Sequence, residues 1–193
     1  MLRHLWIATK MMVVVIVVLG IAYPLVILGI SQAAFPSAAN GSIVSVGGQA
    51  AGSALIAQGF SSPKYFWSRP SSAGAGWEAS ASAGSNLGPT SKTLFDTVQG
   101  RVASATVDNP GLTTGTVPVD MVTASGSGLD PDISVANALA QTPRVAKARG
   151  LTEDVVHTLV EQHVQGRTLG FLGEPRVNVF TLNLALDALK GSR

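Results

Sequence analysis

The sequence predicts an α+β domain that is tethered to a membrane by one N-terminal transmembrane helix. Residues 11–30, MMVVVIVVLGIAYPLVILGI, form an apolar run of twenty residues without a charge. At about 1.5 Å per helical residue this run is about 30 Å long, which matches the hydrocarbon core of a bilayer. After it, short segments that alternate like strands are mixed with segments of helical spacing, a pattern typical of α+β domains.

The charges around the apolar run predict its orientation. Arg3, His4 and Lys10 precede the run, and the next charged residue after it is Lys64. The positive-inside rule therefore places residues 1–10 in the cytoplasm, 11–30 in the lipid bilayer and 31–193 outside the cytoplasm. A cleavable secretory signal is the alternative, because Ser31-Gln32-Ala33 resembles a cleavage site, but the run exceeds the usual 7–15 residues of a signal core. Both interpretations place the domain outside the cytoplasm.

Composition limits the classes of function. Arg3 and Lys10 precede the helix, so eleven Lys and Arg remain beyond it against eleven Asp and Glu. A formally neutral domain argues against a nucleic-acid partner. The chain has no cysteine, which excludes disulfides and thiol chemistry. Only 12% of residues are charged, and this low fraction suggests that a partner covers part of the surface.

Local signals predict the elements of the domain. We expect short strands at residues 43–46 and 117–123, from their β-branched and alternating apolar residues. A helix is expected at 91–105, and Gly150 is expected to close another. The expected N-caps of the helices are Thr90, Asp130, Thr142, Thr152 and Asn178.

Two segments with aromatic residues are candidates for core packing or partner contact. Tyr65, Phe66 and Trp67 are consecutive and lie beside Arg69. We interpret them as a hydrophobic corner of the core, in which Arg69 pairs with a buried carbonyl or carboxylate, while a cation–π or partner contact is the alternative. Trp77 lies in a Ser/Ala/Gly-rich stretch, 71–84, that predicts a mobile loop. An exposed Trp77 would be a candidate for contact with another subunit or the membrane surface.

The turn Ser125-Gly126-Ser127-Gly128 invites comparison with phosphate-binding loops. It has no lysine for a P-loop, no glycine at position 125 for a nucleophile elbow and no third glycine for a dinucleotide fingerprint. A structural turn is therefore favoured over direct nucleotide binding at a following helix N-terminus. An exported hydrolase that uses Ser125 or Ser127 is a weaker alternative. We predict no catalytic residue and no metal ligand.

Five ordered motifs carry a specific resemblance. They are Tyr65-Phe66 with Arg69-Pro70-Ser71, the segment 84–90 with Ser85 and Asn86, Asp120 with 123–131, Arg144-Val145-Ala146 with Arg149-Gly150, and 172–179, which includes Asn178. Together with one N-terminal span, they resemble the C subunit of the bacterial Kdp potassium-transporting P-type ATPase over nearly the whole chain. Two departures are the bulky Trp67-Ser68 pair and Asp132, where histidine is common in the family.

The resemblance implies a non-catalytic accessory subunit in the bacterial inner (plasma) membrane. The implied partners are a potassium-selective channel-like subunit, an ATP-hydrolysing P-type subunit and a small single-span subunit. ATP, Mg and potassium then belong to the complex, and no cofactor is assigned to this chain. The family is also described as a catalytic chaperone that raises the ATP affinity of the pump subunit, which conflicts with a cytoplasmic part of only ten residues. We expect the domain to serve assembly, stability and potassium entry at the outer face.

The motifs of the resemblance, together with the loop residue Trp77, give the candidate residues. Partner contacts or structural motifs are expected at Tyr65, Phe66, Arg69, Trp77, Ser85, Asn86, Asp120, Ser125, Ser127, Asp130, Arg144, Arg149 and Asn178. Packing of the transmembrane helix against partner helices is expected at the small residues Gly20, Ala22 and Gly29.

Overall fold

A computed structural model describes residues 1–190 of the chain. It divides into two compact units, the anchor unit (Met1–Ser53) and the body (from Ala54 onward). The architecture is the predicted one: a long apolar N-terminal helix and an α+β body with a small sheet.

The anchor unit begins with a continuous helix, Leu2–Ala34, whose length and hydropathy suffice to cross a membrane. It consists of α1 (Leu2–Val15), a π-helical segment (Ile16–Ala22) and α2 (Tyr23–Ala34). In the wider turn, the N–H of Tyr23 donates to the carbonyl of Val18, five residues earlier. Pro24 lacks an N–H and crowds the preceding turn, and a local π-helical segment is a known way to accommodate such a disturbance without breaking a helix. The whole helix, Leu2–Ala34, extends beyond the apolar run 11–30 at both ends.

A short helix and a hairpin complete the anchor unit. Helix α3 (Pro36–Ala39) is followed by the antiparallel strands β1 (Ile43–Val46) and β2 (Gln49–Ser53). Gly47 and Gly48 form the connecting turn with φ values of 59° and 82°, which glycine adopts without the steric cost of a side chain. The predicted strand at 43–46 is thus confirmed.

In the described residues, the body contains five α-helices and a three-stranded antiparallel sheet of order β3-β5-β4. The strands are β3 (Asp132–Ser134), β4 (Val164–Gln165) and β5 (Arg176–Asn178). The helices are α4 (Lys92–Asp108), α5 (Val119–Val122), α6 (Val135–Arg149), α7 (Glu153–Gln162) and α8 (Val179–Lys190). The largest fully buried apolar side chains belong to α6, α7, α8, β3, β5 and one loop, and they are Phe66, Ile133, Val145, Val156, Val160, Val177, Val179, Leu182 and Leu186.

Three predicted helix signals are confirmed. Thr152 is the N-cap residue of α7. Asn178 caps α8, because its Oδ1 accepts a hydrogen bond of 3.1 Å from the N–H of Thr181. Gly150 closes α6 in the left-handed conformation, with φ 66°.

The other predicted caps are wrong. Ser91, not Thr90, caps α4, which ends at Asp108 and so extends beyond the predicted range. Helix α6 begins after Ser134, whose Oγ accepts from the N–H of Asn137 at 3.0 Å. It therefore starts neither at Asp130 nor at Thr142, and the Thr142-Pro143 pair lies inside it. The Thr142 hydroxyl donates to the carbonyl of Ala138 at 3.3 Å, a local hydrogen bond next to the interior proline.

The predicted strand at 117–123 is also wrong. The segment contains the single helical turn α5, whose first-turn residue Asp120 accepts a hydrogen bond of 2.7 Å from the N–H of Ser134. The alternation of valines matched a strand, but a tertiary hydrogen bond and a turn of helix determine the local structure.

Candidate functional site

The segment Pro63–Trp67, here called the strap, is a loop that begins with a turn and whose backbone is hydrogen bonded by side chains. Buried backbone groups need hydrogen-bond partners, and among residues 1–190 no strand pairs with the strap. Asn183 on α8 provides both partners for the fully buried Phe66: its Oδ1 accepts from the N–H at 2.8 Å, and its Nδ2 donates to the carbonyl at 2.9 Å. The side chain of α8 thus replaces a strand at this residue.

Gln141 on α6 provides the same pair of bonds to the next residue. Its Oε1 accepts from the N–H of Trp67 at 2.7 Å, and its Nε2 donates to the carbonyl of Trp67 at 3.1 Å. The same Nε2 donates to Asn137 Oδ1 at 2.8 Å, and Asn137 Nδ2 donates to Asp120 Oδ2 at 3.0 Å. A chain of polar side chains therefore links the strap to α5 through the face of α6.

Arg144 is the centre of this network and is only 6% exposed. Its Nη1 donates to the carbonyls of Pro63 and Tyr65 at 2.8 and 3.0 Å. Its Nε donates to Asn109 Oδ1 at 3.0 Å and its Nη2 to Gln141 Oε1 at 2.6 Å. The guanidinium also lies 3.7 Å from the centre of the Trp67 ring, a cation–π geometry.

Burial lowers the pKa of the Arg144 guanidinium to about 10. The group still carries its charge at neutral pH, and uncharged acceptors receive its hydrogen bonds. Arg144 is a structural residue of the body in this arrangement, because its charged group faces the strap instead of solvent.

Arg149 binds the strap at Lys64, between the two residues whose carbonyls Arg144 contacts. Its Nε donates to the carbonyl of Lys64 at 2.6 Å, and its Nη2 forms an ion pair of 2.9 Å with Asp187 on α8. The Tyr65 hydroxyl donates to the same carboxylate at 3.0 Å. That hydrogen bond is the main reason why the pKa of Tyr65 is raised. The guanidinium lies 4.9 Å from the Tyr65 ring centre.

The prediction that Arg69 pairs with a carboxylate or carbonyl is confirmed, but the partner residues Asp130 and Ala124 are half-buried and not buried as predicted. Its Nη1 forms an ion pair with Asp130 Oδ2 at 3.0 Å, and its Nη2 donates to the carbonyl of Ala124 at 3.4 Å. Asp130 does not cap a helix; its Oδ1 accepts from the N–H of Asp132 at 3.0 Å. Asp132 in turn pairs with Arg176 at 2.9 Å.

Asp120 organises the start of α6. Its carboxylate accepts hydrogen bonds from the N–H of Ser134 at 2.7 Å, from the Ser134 hydroxyl at 2.8 Å and from Asn137 Nδ2 at 3.0 Å. Three donors leave this carboxylate engaged with the fold.

The 125–128 turn holds a neighbouring loop and precedes a strand. The carbonyl of Ser127 accepts from the N–H of Ala83 at 3.0 Å and from the Ser82 hydroxyl at 2.9 Å. The Ser127 hydroxyl accepts from the N–H of Leu129 at 3.1 Å, and Ser125 is only 4% exposed. Because β3 follows the turn, the helix N-terminus on which the nucleotide-binding alternative depended is not formed here. Within residues 1–190, neither hydroxyl is hydrogen bonded to a histidine.

The remaining candidates lie in the loops and at the end of β5. Trp77 is half-buried, and its ring covers Gly59, where an added Cβ would lie 2.7 Å from the ring. Ser85 and Asn86 are exposed, and Asn86 has φ 53°. Asn178 is buried, and besides capping α8 it donates through Nδ2 to the carbonyl of Ala54 at 2.8 Å.

The sequence reasoning missed the amide side chains of this network: Asn109, Asn137, Gln141 and Asn183. A signal for some of them was present. Asn137, Gln141 and Arg144 follow at spacings of four and three, so they share one face of α6. Polar residues on the same face as buried alanines and valines predict a buried polar network, since buried polar groups must be hydrogen bonded.

Two surface depressions adjoin these groups. The larger, about 660 Å³, is lined by Trp67, Val107, Asp108, Arg144 and Lys147 among others. The second, about 440 Å³, is lined by residues that include Arg69, Asp120, Asp130, Asp132 and Arg176. In the described part of the chain, no group of His, Cys, Asp and Glu is arranged to hold a metal ion.

The fold and the site define a class of protein: an α+β body, with one helix able to span a membrane, whose polar candidate residues mostly stabilise the body itself. Comparison with known sequences gives the family. The profile described as KdpC, K+-transporting ATPase, c chain, matches residues 5–188. The chain belongs to this family.

Curated relatives agree over nearly their full length. A potassium-transporting ATPase KdpC subunit of Caulobacter vibrioides (strain NA1000 / CB15N) is 53% identical over 189 residues, covering 97% of this chain and 94% of the relative. The KdpC subunit of Gemmatimonas aurantiaca is 52% identical over 193 residues, covering 100% of this chain and 96% of the relative. The KdpC subunit of Mycobacterium bovis (strain BCG / Pasteur 1173P2) is 51% identical over 189 residues, covering 98% of this chain and 100% of the relative. The chain is accordingly a subunit of a potassium-transporting ATPase.

Proposed function

We propose that the chain is a non-catalytic accessory subunit that stabilises a potassium-importing ATPase complex from the outer face of the bacterial inner membrane. Its body would also shape potassium entry at that face. The observation that carries the proposal is the charge asymmetry around a single apolar helix in a chain of this family. Every other part of the proposal depends on which side of the membrane holds the body.

The orientation is argued from the flanks of the helix. Arg3, His4 and Lys10 lie on its N-terminal side, whereas residues 11–63 carry no charge. Basic residues next to a span favour the cytoplasmic side, so the body would be extracytoplasmic. The 140 or so residues of the body would then act where potassium enters and away from ATP.

The non-catalytic role is supported by the way the polar candidates are engaged. Arg144, Asp120 and Arg149 each make three or more hydrogen bonds within the body. A nucleophile or general base must reach a substrate, and side chains so engaged serve the fold instead.

Partner contacts are proposed for the candidates that the fold does not use. Ser85 and Asn86 are exposed in an irregular segment. In the membrane, Gly20, Ala22 and Gly29 would let a partner helix approach closely. The proposed partners are the potassium-selective channel-like subunit, the ATP-hydrolysing subunit and the small single-span subunit.

The catalytic-chaperone alternative requires the body to meet ATP in the cytoplasm. The 125–128 turn gives it no support, because a strand follows the turn. The side of the membrane on which the body lies therefore distinguishes the accessory role from the catalytic-chaperone role.

Removal of the body tests the accessory role. A truncation that keeps Met1–Ser53 and removes residues 54–193 should reach the membrane but abolish high-affinity potassium uptake and lower the yield of the purified complex. Immunoblots of the truncated chain in membranes control for its expression. Normal uptake at micromolar potassium would contradict the proposal.

A further inference from the structure

The loop between β4 and β5, residues 166–175, is an ordered hairpin. Thr168 and Leu172 exchange two backbone hydrogen bonds of 2.9 Å each, and the N–H of Gly170 donates to the carbonyl of Arg167 at 3.0 Å. At its base, Arg167 Nη2 pairs with Glu174 at 2.7 and 3.0 Å. The backbone is therefore fixed by its own bonds.

This hairpin presents three large apolar side chains to the outside of the body. Leu169 is 79% exposed, Phe171 68% and Leu172 48%. Leu169 also has φ 55°, a conformation that is unfavourable for residues other than glycine. An ordered loop that holds leucine in this conformation and leaves Phe and Leu exposed is a candidate interaction site.

We propose that the hairpin 166–175 inserts these three side chains into an uncharged, apolar recess on another subunit of the complex. This inference rests on the proposed accessory function. The argument for the recess is charge complementarity: the tip, residues 168–173, has no charge, and the only charges of the hairpin neutralise each other at its base. An apolar centre with a polar rim is the usual anatomy of a protein interface.

A protein recess fits the hairpin better than a lipid surface. Its backbone bonds and the left-handed residues Leu169, Gly170 and Gly173 fix one arrangement of the side chains, which suits a shaped pocket. Segments that lie in a bilayer interface combine Trp, Phe or Leu on an apolar face with Lys and Arg on a polar face. The tip, residues 168–173, has the apolar residues but no Lys or Arg. Insertion of the tip into the bilayer is therefore the alternative that the experiment must exclude.

Photo-crosslinking in the assembled complex identifies what covers the tip. Phe171→benzoylphenylalanine, irradiated in native membranes, should give an adduct with the mass of this chain plus another subunit of the complex. Phe95→benzoylphenylalanine serves as a control because Phe95 is equally exposed, at 67%, on α4. A lipid adduct at position 171, or no adduct, would overturn the inference.

Substitution tests the contribution of the tip. Phe171→Ser should lower the fraction of the chain that stays with the detergent-solubilised complex at least threefold, while Phe95→Ser stays near wild type. Circular dichroism of both variants checks that they fold. Equal losses from both variants, or no loss from Phe171→Ser, would contradict the inference.

The two proposals can fail separately. Loss of uptake on removal of 54–193 without a protein adduct at 171 would overturn the hairpin inference alone. A protein adduct with normal uptake after truncation would overturn the accessory function instead.

Discussion

At the scale of single residues, the body depends on side chains that act as substitutes for a strand. The strap lies on α6 and α8, and its backbone groups are bonded by Gln141, Arg144, Arg149 and Asn183. Arg144 can serve several acceptors at once because a guanidinium has five N–H donors in a planar fork. Its position in a motif of the family therefore has a structural reason.

Replacement of Arg144 should destabilise the body strongly. Arg144→Ala removes the donor of three acceptors, which are Asn109 Oδ1 and the carbonyls of Pro63 and Tyr65, whereas Gln141 Oε1 keeps the N–H of Trp67. A buried group left unsatisfied costs about 1–3 kcal/mol. We expect the free energy of unfolding to fall by about 3 kcal/mol or more, measured by thermal or denaturant unfolding of the purified chain in detergent. Lys147→Ala is the matched control, since Lys147 is exposed on the same helix. Similar small effects from both would show that the network does not hold the strap.

Asp132 gives a prediction about pH. Burial raises its pKa above the ordinary 3.8, despite the attraction of Arg176. The folded state then binds the proton more tightly than the unfolded chain, so the stabilisation from protonation is complete below pH 3.8 and is lost as the pH rises through the folded pKa. Asp132→Asn should therefore raise the unfolding temperature at pH 7 and lose this advantage near pH 4. The exposed Asp96→Asn is the control; a lower unfolding temperature for Asp132→Asn at pH 7 would contradict the account.

At the scale of elements, close approach of two loops determines the glycine pattern of the 125–128 turn. Gly128 has φ 68°, and a Cβ there would lie 2.6 Å from the backbone nitrogen of Ala73 and 2.7 Å from the carbonyl oxygen of Ala83. Gly126, two residues earlier, has open space at the Cβ position. Gly128 is therefore sterically required to be glycine, whereas Gly126 is not.

A pair of alanine substitutions tests this difference. Gly128→Ala should lower the free energy of unfolding by about 2–4 kcal/mol, since both the left-handed conformation and overpacking are unfavourable. Gly126→Ala should change it by less than about 1 kcal/mol. Denaturant unfolding measures both, and a larger loss from Gly126→Ala would mean that the turn has another role.

Several elements could be predicted from local signals, and others depend on contacts distant in sequence. The membrane helix, α7 and the Asn178 cap follow from hydropathy, spacing and capping residues. Thr142-Pro143 resembled a helix start, but burial of the neighbouring Gln141 and Arg144 keeps α6 continuous through it. Arg69 was predicted to pair, yet its partner Asp130 is 61 residues away, and no local pattern identifies it.

At the scale of the whole molecule, the anchor and the body divide the proposed tasks. The helix Leu2–Ala34 would hold the chain in the membrane and orient it, and the body would act at one face only. Because charges flank only the N-terminal end of the span, sidedness is the property from which the accessory function and the conflict with ATP binding both follow.

Cysteine labelling measures sidedness most directly, since the sequence has no cysteine of its own. Thr114→Cys places a thiol at an exposed position of the body, and Leu2→Cys places one before the apolar run. With a membrane-impermeant maleimide, we predict labelling of Thr114→Cys in intact spheroplasts and labelling of Leu2→Cys only after lysis. Labelling of Leu2→Cys from outside, with Thr114→Cys protected until lysis, would contradict the account.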